Sequence, residues 1–459
     1  PCRPRIPVNT TTWPVLGYGR VRSKTTCRST CSRAATNSGW TPADAKSTEM
    51  SYRVYRVGGA VRDELLGLEP REVDWVVVGG RPEDLIEQGF RQVGASFPVF
   101  LHPETAEDYA LARTEKKEGR GYHGFAVDFG PDVTLEEDLL RRDLTINAMA
   151  RDADGHLVDP YGGRKDLDRR LLRHVSPAFG EDPLRVLRVA RFAARLAPLG
   201  FTVHEETLGL MREMVDSGEL DDLAAERVWT EIAGAMAAER PGVFVDVLRA
   251  CGALNKLLPE VDALFGVPQP ELHHPEIDTG LHVKMAMDYA ARRGWGPEVV
   301  FALLLHDVGK GVTPREEWPS HRRHEHRGVL LARRVCERLR SPGRYRELAL
   351  KVTGLHLRCH LLAEMKPATK LRLLEDADLL RQPQGLDDFV RACEADYRGR
   401  EGFESRPYPQ AGLLAAALDA ALSVRARDLD TTGLNGSQIG NRLREARIGA
   451  IAGSADPAG

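Results

Sequence analysis

The sequence predicts an α+β protein, with a strand-containing head followed by an all-helical remainder. Three observations lead there. Short β-branched and aromatic runs, punctuated by glycine, fill residues 52–113. From residue 184 onward the apolar positions recur at helical spacing instead. A chain of 459 residues also has room for several domains and a sizeable core. The expected divisions are an N-terminal extension over 1–49, the head over 50–175, a helical neck and body over 176–275, a second functional domain over 276–400 and a helical tail over 401–459.

Composition narrows the class. The formal charge is −3 and the pI about 6.6, so any nucleic-acid partner must be met by basic residues gathered on one face. No apolar run approaches membrane-span length, so no membrane partner is expected. Seven cysteines are scattered without a metal or disulfide framework, which fits a reducing cytoplasm. Monomer and homodimer remain open. Residues 1–49 are rich in Thr, Ser, Pro and Arg, lack any period, and precede Met50, the first methionine. They read as an upstream stretch translated from a wrong start assignment, with a targeting leader as the other reading. Disorder is expected in either case.

The chain is organised around VGGAVRDELLGLEPREVDWVVV, residues 57–78. A β-branched run ends at Val57, and Gly58-Gly59 turns it tightly. Bare glycines let a phosphate approach the backbone. Residues 60–66 have helical character and Gly67 is the expected stop. Glu72 and Asp74 then lead into Trp75-Val76-Val77-Val78, a buried-strand pattern. At spacing two on a strand both carboxylates face one side, where only a cation relieves their repulsion. Mg²⁺ prefers such oxygen ligands. A lone Gly-Gly or acid-x-acid is weak evidence, but the ordered set Gly58, Gly59, Arg62, Asp63, Glu72, Asp74 is specific. It resembles the nucleotide-binding core of template-independent RNA nucleotidyltransferases. That implies a polymerase-β-like head, with Glu72 and Asp74 as catalytic Mg²⁺ ligands and Gly59 and Arg62 at the nucleotide.

Further along, residues 82–88 predict a helix, 99–101 and 109–113 strands, and the charged, Gly-rich 115–124 a mobile loop. LLRRDLTINAMA, residues 139–150, packs as helix or strand beneath Arg141 and Arg142. It resembles the RRD-T-I-N-A signature of the same enzymes, which implies a triphosphate contact for Arg142. Guanidinium groups suit phosphate oxygens.

In SPAFGEDPLRVLRVARFAARL, residues 176–196, Pro183 suits a first helical turn and Glu181 and Asp182 suit its positive end. Arg185, Arg188, Arg191 and Arg195 share one face, with Val186, Val189, Ala190 and Ala193 towards the other. Four cations without interleaved acids should repel, which points to an anionic partner. Glu181-Asp182-Pro183-Leu184-Arg185 resembles the EDxxR motif of class II CCA-adding enzymes. The resemblance implies that Asp182 and Arg185 read the base edges of CTP and ATP, that Arg188 and Arg191 contact the nucleotide, and that tRNA is the acceptor. Residues 205–215, 224–238 and 241–251 predict further helices without chemistry of their own.

His306-Asp307 ends an apolar helix before Gly309, and His282, His324, His326, His356 and Asp396 accompany it. A lone histidine on an apolar helix is usually a core residue, whereas an adjacent His-Asp there is seldom bland. The pattern resembles HD-domain metal phosphohydrolases. That implies His282, His306, Asp307 and Asp396 as metal ligands and His356 as an auxiliary residue. Imidazoles with carboxylates suit Ni²⁺, Mn²⁺, Fe²⁺ or Mg²⁺ rather than thiolate-bound Zn²⁺, and Ni²⁺ is the expected metal. The whole is identified as a member of the bacterial CCA-adding enzymes with a C-terminal HD domain. Two positions depart from that pattern: Glu72-Val73-Asp74 replaces Asp-x-Asp, and the histidine run reads His321-Arg322-Arg323-His324-Glu325-His326.

Overall fold

The computed structural model describes residues 52–70, 72–93, 99–117 and 125–454. The expectation for residues 1–49 lies outside them. The head begins with β1 (Arg53–Val57), α1 (Gly59–Leu65), β2 (Asp74–Val78), α2 (Pro82–Glu87), β3 (Arg91–Val93), β4 (Val99–Leu101) and β5 (Asp108–Leu111). A hairpin of β6 (Arg113–Lys117) and β7 (Phe125–Phe129) follows, then α3 (Leu135–Leu140), β8 (Ala150–Arg151), β9 (Leu157–Val158) and α4 (Gly163–Arg169). One sheet runs β3-β4-β5-β2-β1-β8-β9, with β2 antiparallel to β1 and parallel to β5. Successive side chains of β2 enter opposite cores. Val76 packs with Val57, Leu139 and Ala148, and Val77 with Leu85, Phe100 and Leu111. Each is buried, worth about 1.5–3 kcal/mol apiece.

Two local expectations change. Part of the stretch read as a mobile loop is strand, because β6 pairs with β7 from Arg113↔Phe129 to Lys117↔Phe125. Its charges are matched: Glu115 lies 2.9 Å from both Arg113 and Arg141. Residues 118–124 lie outside the described residues. The segment after Arg142 is a short 3₁₀ turn, Thr145–Asn147, that ends before β8.

The helical part opens with β10 (Leu171–Leu172), α5 (Leu184–Leu196), β11 (Thr202–Val203), α6 (Glu205–Asp216), α7 (Ala225–Met236), α8 (Pro241–Ala250), α9 (Ala253–Leu257) and α10 (Pro259–Asp262). α5 starts directly after Pro183, and the Asp182 carboxylate accepts the Leu184 amide at 3.0 Å. Val186, Val189, Ala190 and Ala193 are buried as their spacing predicts, and α7 and α8 cover them. There follow α11 (Thr279–Arg292), α12 (Pro297–Leu305), α13 (His324–Arg338), α14 (Gly343–His360), α15 (Pro367–Asp376), α16 (Leu386–Arg398), α17 (Gln410–Ser423) and α18 (Gly436–Gly453). α12 is buried continuously from Val299 to Leu305. A helix apolar on every side must be surrounded, and α11, α14 and α16 pack around it. Residues 51–459 form one compact unit.

Candidate active sites

The register of β1 against β2 builds the first site. Val57 pairs with Asp74, so the Gly58-Gly59 turn stands beside the acidic end of β2. Gly58 has φ 72°, and its amide donates to the Met149 carbonyl at 3.2 Å. A Cβ at Gly58 would lie 2.9 Å from an Arg142 guanidinium nitrogen. The glycine therefore serves the turn and also the approach of Arg142.

Glu72 and Asp74 line one polar cleft of about 990 Å³ together with Gly59, Arg62, Arg142, Asp182, Arg185, Arg188 and Arg191. Every head residue singled out from the sequence is thus brought to one place. The reason given for the acidic pair needs correcting, however. β2 begins at Asp74, so Glu72 lies in the preceding loop and strand alternation does not align the two. Their electrostatics couple them instead. Burial raises the Asp74 carboxyl; Arg142 opposes the rise, and the charges of Glu72 and Asp108 add to it. Carboxylates crowded in this way favour an oxygen-seeking cation such as Mg²⁺, so the donor set fits one. Asp108 was not found from the sequence. It sits at the start of β5, level with Asp74 only through the parallel register.

The arginines also depart from expectation in one respect. Acids and carbonyls from other elements partner the face of α5, so mutual repulsion does not require an external anion. Arg188 donates to Asp143 at 2.9 Å, Arg191 to Glu231 at 2.5 Å and Arg195 to Asp63 at 2.7 Å. Arg185 is buried and donates to the carbonyls of Ala178 and Arg141, at 2.9 and 2.5 Å. Asp182 pairs with Arg227 at 3.0 Å. Arg62 is 1% exposed and clamped by Asp63 and Asn147, so it stiffens the wall of the cleft. Asp138, buried beneath Arg141 and Arg142, resists burial because those two guanidinium groups hold its carboxyl low. For Asp143, too, burial is outweighed by Arg188 and by the Asn147 amide, and the carboxyl stays far below its ordinary range.

The second site lies where α11, α13, α14 and α16 meet the end of α12. His282 Nε2 stands 3.0 Å from Asp396 and 3.9 Å from Asp307. His306 Nε2 stands 3.2 Å from Asp307 and 3.7 Å from Asp396. The four side chains expected to ligate a metal therefore converge, across 114 residues of sequence between His282 and Asp396. His306 Nε2 is buried without a hydrogen bond. Burial disfavours charge on His306, but Asp307 and Asp396 outweigh it and raise its pKa to about 10. A divalent ion could replace that proton, and the imidazole-carboxylate set suits a first-row metal. Sequence reasoning missed Glu276, whose carboxylate faces His282 Nδ1 at 2.9 Å, and His360, which is 2.7 Å from Asp396. A carboxylate behind a ligating imidazole orients it. His326 is exposed and takes no part. Among the described residues, Cys251, Cys336, Cys359 and Cys393 are free and buried, and no helix is long and apolar enough to cross a membrane.

Fold and sites together define a nucleotidyltransferase head joined through a helical body to an HD domain. Family models match in the same order: a poly A polymerase head domain over residues 54–173, a probable RNA and SrmB-binding site of polymerase A over 200–265, and an HD domain over 279–381. The multifunctional CCA proteins of Ectopseudomonas mendocina and Alkalilimnicola ehrlichii are 57% and 58% identical to the chain, each over 87% of it and 97% of the relative. This chain belongs to the multifunctional CCA protein family. Among solved structures, the Bacillus stearothermophilus CCA-adding enzyme in complex with CTP aligns at TM-score 0.59 and 24% identity, covering 88% of this chain and 89% of that one. The Thermotoga maritima CCA-adding enzyme complexed with tRNA aligns at TM-score 0.56 and 19% identity, covering 88% of each chain. These two share the fold.

Proposed function

We propose that the head adds and repairs the 3′-terminal CCA of tRNA, using CTP and ATP and no nucleic-acid template. The HD domain then acts as a phosphatase, 2′-nucleotidase and 2′,3′-cyclic phosphodiesterase. The observation that carries the first reading is the single cleft holding the Gly58 turn, Arg142, Glu72, Asp74, Asp182 and Arg185. The relatives' name and the CTP- and tRNA-bound neighbours support it.

The tRNA 3′-hydroxyl attacks the α-phosphorus of CTP twice and of ATP once, and pyrophosphate leaves each time. Mg²⁺ bound by Glu72 and Asp74 neutralises phosphate charge and lowers the pKa of the attacking hydroxyl. Arg142, poised over the Gly58 turn, grips triphosphate oxygens. Asp182 accepts from the exocyclic amine of cytosine or adenine, and Arg185 donates to ring acceptors, so uracil and guanine fit poorly. Both must exchange their present partners to do so. Arg188 and Arg191 add positive charge along the same wall. In the HD domain His282, His306, Asp307 and Asp396 hold a divalent transition metal, with Ni²⁺ the expected ion. This activity belongs in the cytoplasm.

A poly(A) polymerase shares the head, and Glu72 in place of Asp raises a third reading, an RNA-binding head without transfer on an HD hydrolase. Offering each nucleotide separately to the protein with a tRNA lacking CCA separates these. CTP incorporation excludes the polymerase and the inactive head; ATP tailing alone, or no transfer, contradicts CCA addition.

A further inference from the structure

Behind the four expected ligands lies a second set of donors. Asp307 is a hinge between them. Its Oδ2 atom faces His282 and His306 and accepts from Lys310 at 2.7 Å. Its Oδ1 atom faces the other way, towards His324 Nε2 at 3.2 Å and His356 Nε2 at 3.8 Å. Oδ1 is buried and makes no hydrogen bond. The ligand atoms of Asp307, His324 and His356 all lie within 4.8 Å of one another, as do those of His282, His306 and Asp307.

Tautomers sharpen the point. His324 Nδ1 lies 3.0 Å from the His321 carbonyl, and His356 Nδ1 lies 2.9 Å from the Val352 carbonyl. A carbonyl only accepts, so both Nδ1 atoms carry the proton, and in the neutral rings both Nε2 atoms present lone pairs. Those lone pairs face each other at 3.4 Å, with the carboxylate oxygen beside them. Three acceptors directed at one buried point repel unless a cation lies there. Both histidines are almost wholly buried, so water does not screen them.

We propose that Asp307 Oδ1, His324 and His356 form a second divalent-cation subsite, so that the HD domain holds two ions bridged by the Asp307 carboxylate. The proposal rests on the reading of His282, His306, Asp307 and Asp396 as a metal site, and it assigns His356 to direct ligation instead of an auxiliary role. Two imidazoles and one carboxylate suit Mn²⁺, Fe²⁺, Co²⁺ or Ni²⁺. Bridged pairs about 3.5–4 Å apart clamp phosphate-ester oxygens, so the pair takes a phosphate ester as its substrate class.

The test uses the full chain carrying Asp74→Ala, which weakens cation binding in the head, loaded with Mn²⁺ and passed through a desalting column. Bound manganese is counted by elemental analysis, and spin coupling is read by electron paramagnetic resonance. Two ions per chain with an exchange-coupled spectrum are expected. His324→Gln or His356→Gln should leave one ion with the uncoupled six-line spectrum. One ion in the parent protein, unchanged by either substitution, overturns the second subsite while leaving the first. Two uncoupled ions overturn the bridge, and no retained ion overturns both readings. The parent spectrum decides the matter even where a variant does not fold.

Discussion

Asp182 is bonded to Arg227, at 3.0 Å, and not to Arg185, its neighbour in the EDxxR motif. The two residues proposed to read the base are therefore held apart by separate partners, and nucleotide entry must exchange them. Asp182→Ala should relax nucleotide choice more than it weakens triphosphate binding, because Arg142 is untouched. The lost discrimination should be about 1–3 kcal/mol, roughly tenfold to a hundredfold. Incorporation of all four nucleotides by the variant checks this; an unchanged preference for CTP and ATP removes Asp182 from base reading.

Glu72 is expected to work as a ligand although it adds a methylene to the family's aspartate. It sits in a loop ahead of β2, where a longer side chain is accommodated more easily than within the strand. Glu72→Ala should cut CMP transfer by roughly 10²–10³-fold, the scale of removing one charge-stabilising group. Glu72→Asp should keep or raise the rate. Saturating Mg²⁺ and a circular dichroism check of folding are needed. An alanine variant as fast as wild type would shift the metal to Asp74 and its register partner Asp108.

Asp143 supports a pH prediction. Burial acts against its charge, but Arg188 and the Asn147 amide depress its folded pKa below the unfolded value. A depressed carboxyl contributes stability above its unfolded pKa of about 3.9 and loses it as pH falls further. Asp143→Asn should cost about 1.5–3 kcal/mol at pH 7, the worth of hydrogen bonds to a charged group. That gap should narrow as pH drops below about 3.9 towards the folded value. Denaturant unfolding of both proteins at several pH values gives the comparison; a gap independent of pH contradicts the ion-pair role.

The HD site should be separable from the head. His306→Ala with Asp307→Ala removes two expected ligands and should abolish hydrolysis of 2′,3′-cyclic AMP. CCA addition should stay near wild type. Collapse of both activities in a folded protein would mean that the sites are coupled.

Much of this was readable in the residues. The β-branched run before Gly58 and the apolar run after Asp74 specify their strands, and the arginine spacing specifies the face of α5. Other parts depend on pairings that no local pattern carries. Asp108 joins the acidic group through register, and Glu231 and Asp63 neutralise α5 from distant segments. Gly309 is instructive. It was read as a helix breaker, but its φ is −67°, and a Cβ there would stand 1.9 Å from the His324 carbonyl. It is needed because α13 packs against it, which is how His324 comes to face Asp307.

The most direct measurement is the 3′-end sequence of a tRNA lacking CCA after incubation with the wild-type protein, CTP, ATP and Mg²⁺. The account predicts that C, C and A are added in that order and that extension then stops. A heterogeneous A-tail, or an unextended 3′ end with folded protein, would contradict it.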